Sequence, residues 1–168
     1  MNGVKTIILI ITIILILVAC GLRTLKAPSP EVVDIFISKH HKEIEIVNNY
    51  LLGLDGLDAS ISGINVSILV ELKEQTIEDD CVIDAIKTLW RNGCVWITKY
   101  IDDNAITYVI WKRTYDEAEG GFVFAIDYDQ KPKVQFQTEM VPLTDSGCYY
   151  YLAEYNKWRA GERFDNLP

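Results

Sequence analysis

Near residue 60 the apolar residues of this chain change their spacing from that of a helix to that of a strand. Upstream, Val33, Phe36, Ile37, Ile44, Val47, Leu51 and Leu54 fall on one stripe at helical spacing. Ser29-Pro30-Glu31 opens that helix with a hydroxyl cap, a proline at the first position and an acid facing the positive dipole end. Gly53 and Gly56 close it. Downstream, Ile64, Val66, Ile68, Val70 and Leu72 alternate with Asn65, Ser67, Leu69, Glu71 and Lys73, the period of a strand with one face more buried than the other. Such a chain must bury a helical stripe against one face of a sheet.

A second helix is predicted over 77–91. Thr76 is its expected cap, Glu78, Asp79 and Asp80 fill its first turn, and Gly93 ends it. Cys81, Val82, Ala85, Ile86, Leu89 and Trp90 form its expected inner face. Strands follow over 94–101, 105–114, 122–128, 133–141 and 148–152, separated by turns at 102–104, 116–121, 129–132 and 142–147. The short connections predict an antiparallel meander. Val134, Phe136, Thr138 and Met140 alternate with Gln135, Gln137 and Glu139, so one face of that region is expected to meet water. The expectation is an α+β domain over 31–168, with two helices packed on a curled antiparallel sheet of about five to six strands. Its element order is similar to that of cystatin-like or NTF2-like folds, a likeness of order that carries no function.

The N-terminus is of a different kind. Positive charge at the amino end and Lys5 precedes an apolar run from Ile7 to Val18. As a helix that run rises about 18 Å, short of the roughly 30 Å of a hydrocarbon core. It leads into Leu17-Val18-Ala19-Cys20, followed by Gly21. This segment resembles the signal peptide and lipobox of bacterial lipoproteins, where small residues before the cysteine let a peptidase reach the bond. The resemblance covers residues 1–21. It implies removal of residues 1–19, a diacylglyceryl thioether on Cys20 with palmitate-like chains, and a domain facing outside the cytoplasm. Two acyl chains make a stable anchor where one does not. Residues 20–30 then read as a lipidated tether. Pro28 and Pro30 exclude a helix across it, and Arg23 and Lys26 suit the headgroup zone of an anionic membrane.

The net charge of −8 sets the chain against phosphate backbones, so nucleic acid is not an expected partner. Of the 4 cysteines, Cys20 is assigned to lipid. Cys81, Cys94 and Cys148 remain, and they can form at most one disulfide. They read as small, mostly buried residues, with Cys94 and Cys148, each preceded by glycine, the expected pair if one forms. Their spacing matches no metal site. His40-His41-Lys42-Glu43 with Glu45 lacks the HExxH arrangement and reads as a solvated helix face. Asp127-Tyr128-Asp129 lacks the glycine and third ligand of a calcium loop and reads as a strand end and turn. Asp116, Glu117 and Glu119 before Gly120-Gly121 read as a soluble hairpin connection. Neither a metal nor a cofactor is expected.

Cys148-Tyr149-Tyr150-Tyr151 through Tyr155 and Trp158 is the densest aromatic patch. A strand that turns Tyr150 inward turns Tyr149 and Tyr151 outward, so Tyr149, Tyr151 and Trp158 are the candidate contact residues. The functional expectation is a non-enzymatic interaction or accessory module, tethered through Cys20, with a cell-envelope protein or glycan as partner. The alternative is a small cell-envelope hydrolase using paired carboxylates.

Overall fold

The computed structural model describes residues 26–62, 66–113, 118–144 and 147–159, with the backbone alone at 158 and 159. The expected lipidation site Cys20 and the leader lie outside the described residues. Among the described residues, three helices and eight strands precede a short last helix. They are α1 (Pro30–Lys39), α2 (His41–Leu52), β1 (Ala59–Ser62), β2 (Ser67–Val70), β3 (Lys73–Thr76), α3 (Asp80–Arg91), β4 (Trp96–Tyr100), β5 (Ala105–Arg113), β6 (Ala118–Ala125), β7 (Gln137–Pro142), β8 (Cys148–Glu154) and α4 (Tyr155–Arg159). The strands form one antiparallel sheet in the order β3-β2-β1-β4-β5-β6-β8-β7. No described helix is long and apolar enough to cross a membrane.

The class is α+β, but the expected two helices on five to six strands are overturned by four helices and an eight-stranded sheet. The predicted first helix breaks at His40, whose φ of −116° and ψ of 22° leave helical geometry. The region read as one strand from Ile64 holds the hairpin β2–β3, and Ala59–Ser62 adds a strand beside it. Because Thr76 ends β3, the cap of α3 is Asp79 instead, whose Oδ1 accepts from the amides of Cys81 (2.8 Å) and Val82 (3.3 Å). The inner face of α3 is Val82, Ala85, Ile86 and Leu89, whereas Cys81 is exposed. Gly120 and Gly121, expected in a turn, sit inside β6.

The meander also fails at one place. β8 returns between β6 and β7, so the segment 126–136 must pass over the sheet to reach the far edge. It passes over the face opposite the main helices, and both faces of the central strands are therefore covered. On the helix face, Val33 and Ile37 of α1, Val47 and Leu51 of α2, and Ile86 and Leu89 of α3 meet Ile61, Ile97, Tyr108, Phe122 and Tyr150 in the main core. Fully burying each such aliphatic side chain contributes about 1.5–3 kcal/mol. On the other face, Ala105, Val123, Met140, Tyr151 and Ala153 make a second, smaller core, with Val134, Phe136 and Tyr149 packed against it.

One charge is sealed between the layers. Lys99 is 1% exposed, and its Nζ donates to the carbonyls of Leu51 (2.8 Å) and Leu54 (2.5 Å) at the end of α2. A cation there meets the negative end of the helix dipole and the carbonyls that the helix leaves unpaired. Desolvation lowers the Lys99 pKa, against the opposing pull of Asp55 and Asp58. The three described cysteines are free. Cys94 precedes β4 and Cys148 opens β8, three strand spacings or about 14 Å away across the sheet and level with Lys99, not with Cys94, where a disulfide needs Cα atoms within about 7 Å.

Candidate functional site

The segment 126–136 is a strap fastened at both ends. Asn104, itself at φ 54°, donates through Nδ2 to the carbonyls of Asp127 (2.9 Å) and Gln130 (2.7 Å) and accepts the Asp127 amide at 2.6 Å. Asp127 then accepts from the Asp129 amide and the Gln130 side chain, both at 3.0 Å. Its carboxylate pins a turn. Further along, the Lys133 amide donates to the Asp103 carbonyl (2.8 Å) and the Glu154 amide to the Phe136 carbonyl (3.1 Å). Phe136, at φ 57°, meets the Tyr155 ring edge-on with centroids 4.9 Å apart.

Between this strap and the sheet lies a groove of about 590 Å³. Its floor follows from the period of two. In β4, Ile97 and Lys99 point to the helices, so Trp96, Thr98 and Tyr100 point to the groove. The register sets Trp96 opposite Val109, Thr98 opposite Thr107 and Tyr100 opposite Ala105. Trp96 and Tyr100 are 39% and 40% exposed, and their Cα atoms stand about 13 Å apart along the strand. Between them the directly opposed Thr98 and Thr107 are 7% and 5% exposed. Neither hydroxyl has a hydrogen-bond partner among the described residues.

The charges in the lining cancel. Lys112 places its Nζ 5.6 Å from the centre of the Trp96 ring, and Lys133 comes from the strap. Asp103 and Glu119 supply the opposite sign. The Tyr151 hydroxyl, on the same face of the sheet, donates to Glu119 Oε1 at 3.4 Å. Burial, and after it the charge and hydrogen bond of Glu119, hold the Tyr151 phenol well above its ordinary value. Burial first, then Asp58, Glu119 and Asp103, raise that of Tyr100.

The expected contact residues fare differently. Tyr151 is fully buried and cannot serve as a contact surface. Turning Tyr150 toward the helices does send Tyr149 and Tyr151 to the other face, but the strap covers that face, and Tyr149 is half-buried against the second core. The side chain of Trp158 lies outside the described residues. Tyr155, from the same patch, does line the groove. Sequence reasoning missed Trp96, Thr98 and Tyr100, although their alternation inside the predicted 94–101 strand carried the signal.

The histidine pair divides. His40 is 5% exposed and packs against Phe36 with the rings tilted and their centroids 4.8 Å apart, a correction to its expected place on a solvated face. His41 is exposed and, with Glu45, borders a smaller hollow of about 340 Å³ beside α2 and the ends of β5 and β6. No group of three or more potential metal ligands occurs among the described residues. No family model, no curated protein and no solved structure matches this chain.

Proposed function

We propose that this chain is a lipoprotein of the bacterial cell envelope, anchored by lipid on Cys20, whose extracytoplasmic domain is a non-enzymatic binding module. The observation behind the binding reading is the strapped groove. It presents two half-exposed aromatic rings on one interior strand and is held by hydrogen bonds at both ends of the strap. Sites of this volume with few fixed polar groups suit binding of small ligands or ligand segments. A hydrolase would draw on Asp103 and Glu119. Glu119 pairs with Lys112, at the opposite end of β5 from the Ala105–Ala125 pair that follows the Asp103 turn. Paired-carboxylate hydrolysis needs carboxyl groups within about 5–9.5 Å. The lipid reading rests on the sequence of residues 1–21.

Two measurements test the two halves separately. Cells fed a radioactive fatty acid are expected to label the wild-type chain and not Cys20→Ala; equal labelling removes the anchor. The double variant Trp96→Ala, Tyr100→Ala is expected to lose the envelope material that wild type retains in a pull-down, with circular dichroism unchanged. A folded double variant that retains the same material removes the groove as the binding surface.

A further inference from the structure

The groove also indicates what it holds, given the reading above that it is the binding surface. We propose that its ligand is a short, uncharged, linear saccharide, of di- or trisaccharide size, lying along β4 from Trp96 to Tyr100.

Three observations converge on this chemistry. The floor strands β4, β5 and β6 are each paired on both sides, so their backbone groups are used within the sheet. A ligand must therefore be read by side chains. An extended peptide carries an N–H and a C=O at every residue, and strand addition needs an open edge, which in this sheet belongs to β3 and β7. A sugar has no such requirement.

The second observation is the Thr98–Thr107 pair. Two threonines more than nine-tenths buried, directly opposed and with hydroxyls that find no partner among the described residues, face the centre of the groove. A ligand seated in the groove covers these hydroxyls, and covered hydroxyls are normally paired. A hydroxyl ligand can both donate to them and accept from them, whereas an apolar ligand would leave them unsatisfied at a cost of about 1–3 kcal/mol each. On either side, the partly exposed rings of Trp96 and Tyr100 supply apolar surface for the C–H faces of a pyranose ring, whose edge hydroxyls then meet the threonines. The third is charge. Lys112 and Lys133 donate, Asp103 and Glu119 accept, and the sum is zero in a chain whose net charge is −8. That balance complements a neutral molecule whose every hydroxyl does both.

The experiment uses the full chain, purified from membranes in a detergent without a sugar headgroup. It is titrated with N-acetylchitotriose, cellotriose and maltotriose, and with an extended decapeptide as the contrasting probe. At least one trisaccharide is expected to bind saturably by calorimetry. Trp96→Ala is expected to weaken that binding about tenfold or more, and Thr98→Val with Thr107→Val to weaken it severalfold. Ile35→Ala, exposed on α1 on the opposite side of the sheet, is expected to leave it unchanged. Should Trp96→Ala fail to fold, saturation-transfer NMR on wild type decides, since the sugar C–H protons must receive magnetisation from aromatic protons. Failure of all three trisaccharides overturns the proposal. If the decapeptide then binds in a Trp96-dependent manner, the groove remains a binding surface with a different ligand. If the double aromatic variant also keeps its envelope material, the groove reading falls as well.

Discussion

Gly121 sits where β5 presses hardest on β6. A Cβ built there would lie 1.9 Å from the Tyr108 carbonyl oxygen and 3.1 Å from the Ile110 nitrogen, both backbone atoms. The cause is the bulge in β5, where Val109 opposes Gly121 and Trp111 opposes Gly120, leaving Ile110 as the extra residue. At the neighbouring Gly120 the nearest atoms are 3.3 Å away, one of them the movable tip of Leu152. Gly121→Ala must therefore displace backbone, and overpacking of that kind costs about 1–3 kcal/mol or more. In thermal unfolding, Gly121→Ala is expected to lower the Tm by several degrees, about 2–4 °C per kcal/mol for a chain of this size. Gly120→Ala should cost clearly less. Equal losses would mean that the close approach of β5 is not what requires glycine.

Among the elements, the β2–β3 hairpin shows most plainly a local choice made against preference. Glu71 and Leu72 form its two-residue turn with φ of 46° and 66°, and Leu72 is 89% exposed. Two positive φ angles in a two-residue loop are the geometry that Asn-Gly adopts readily, and the left-handed region costs other residues about 1–2 kcal/mol each. Replacing Glu71-Leu72 by Asn-Gly is expected to raise the midpoint of urea unfolding without changing its slope. A lower midpoint would show that Leu72 or Glu71 makes a contact that outweighs its strain. The same turn explains why this hairpin was illegible in the sequence. Nothing in Val70-Glu71-Leu72-Lys73 signals a reversal, and Leu72 continued the alternation begun at Ile64. The inner residues of α3 were legible because Val82, Ala85, Ile86 and Leu89 repeat at helical spacing, and the five later strands were found near their places for the like reason. The strap was not. Val134 and Phe136 read as continuing one strand with Thr138 and Met140, yet they belong to the strap that lies on the second core, because a crossover over the sheet leaves no mark in local periodicity. Gly120-Gly121 misled in the opposite direction, since a glycine pair that signals a turn can equally answer a bulge in the next strand.

For the molecule as a whole, the cores hold many phenols that must stay neutral. Burial raises Tyr108 and Tyr151 well above the ordinary value of 10 and raises Tyr150 to about 12. Below the ordinary value both folded and unfolded chains keep these protons, and their full contribution to stability is present. As pH climbs from there toward about 12 the unfolded chain sheds protons that the folded chain retains, so stability falls. Cys94, pushed up to about 12, acts in the same direction, while Lys99, whose value is lowered, acts against it. Urea unfolding is expected to show a large loss of stability between about pH 8 and about pH 11, and Tyr150→Phe a shallower one. A flat profile would mean that the buried phenols are open to solvent. The sheet order has a consequence in time. β8 follows β7 in the chain yet lies between β7 and β6. When the chain emerges N-terminus first, β6 keeps an unpaired edge and the strap has no second core to lie on until residues 148–154 arrive. Of the described strands, the one that closes the sheet between β6 and β7 is the last one made.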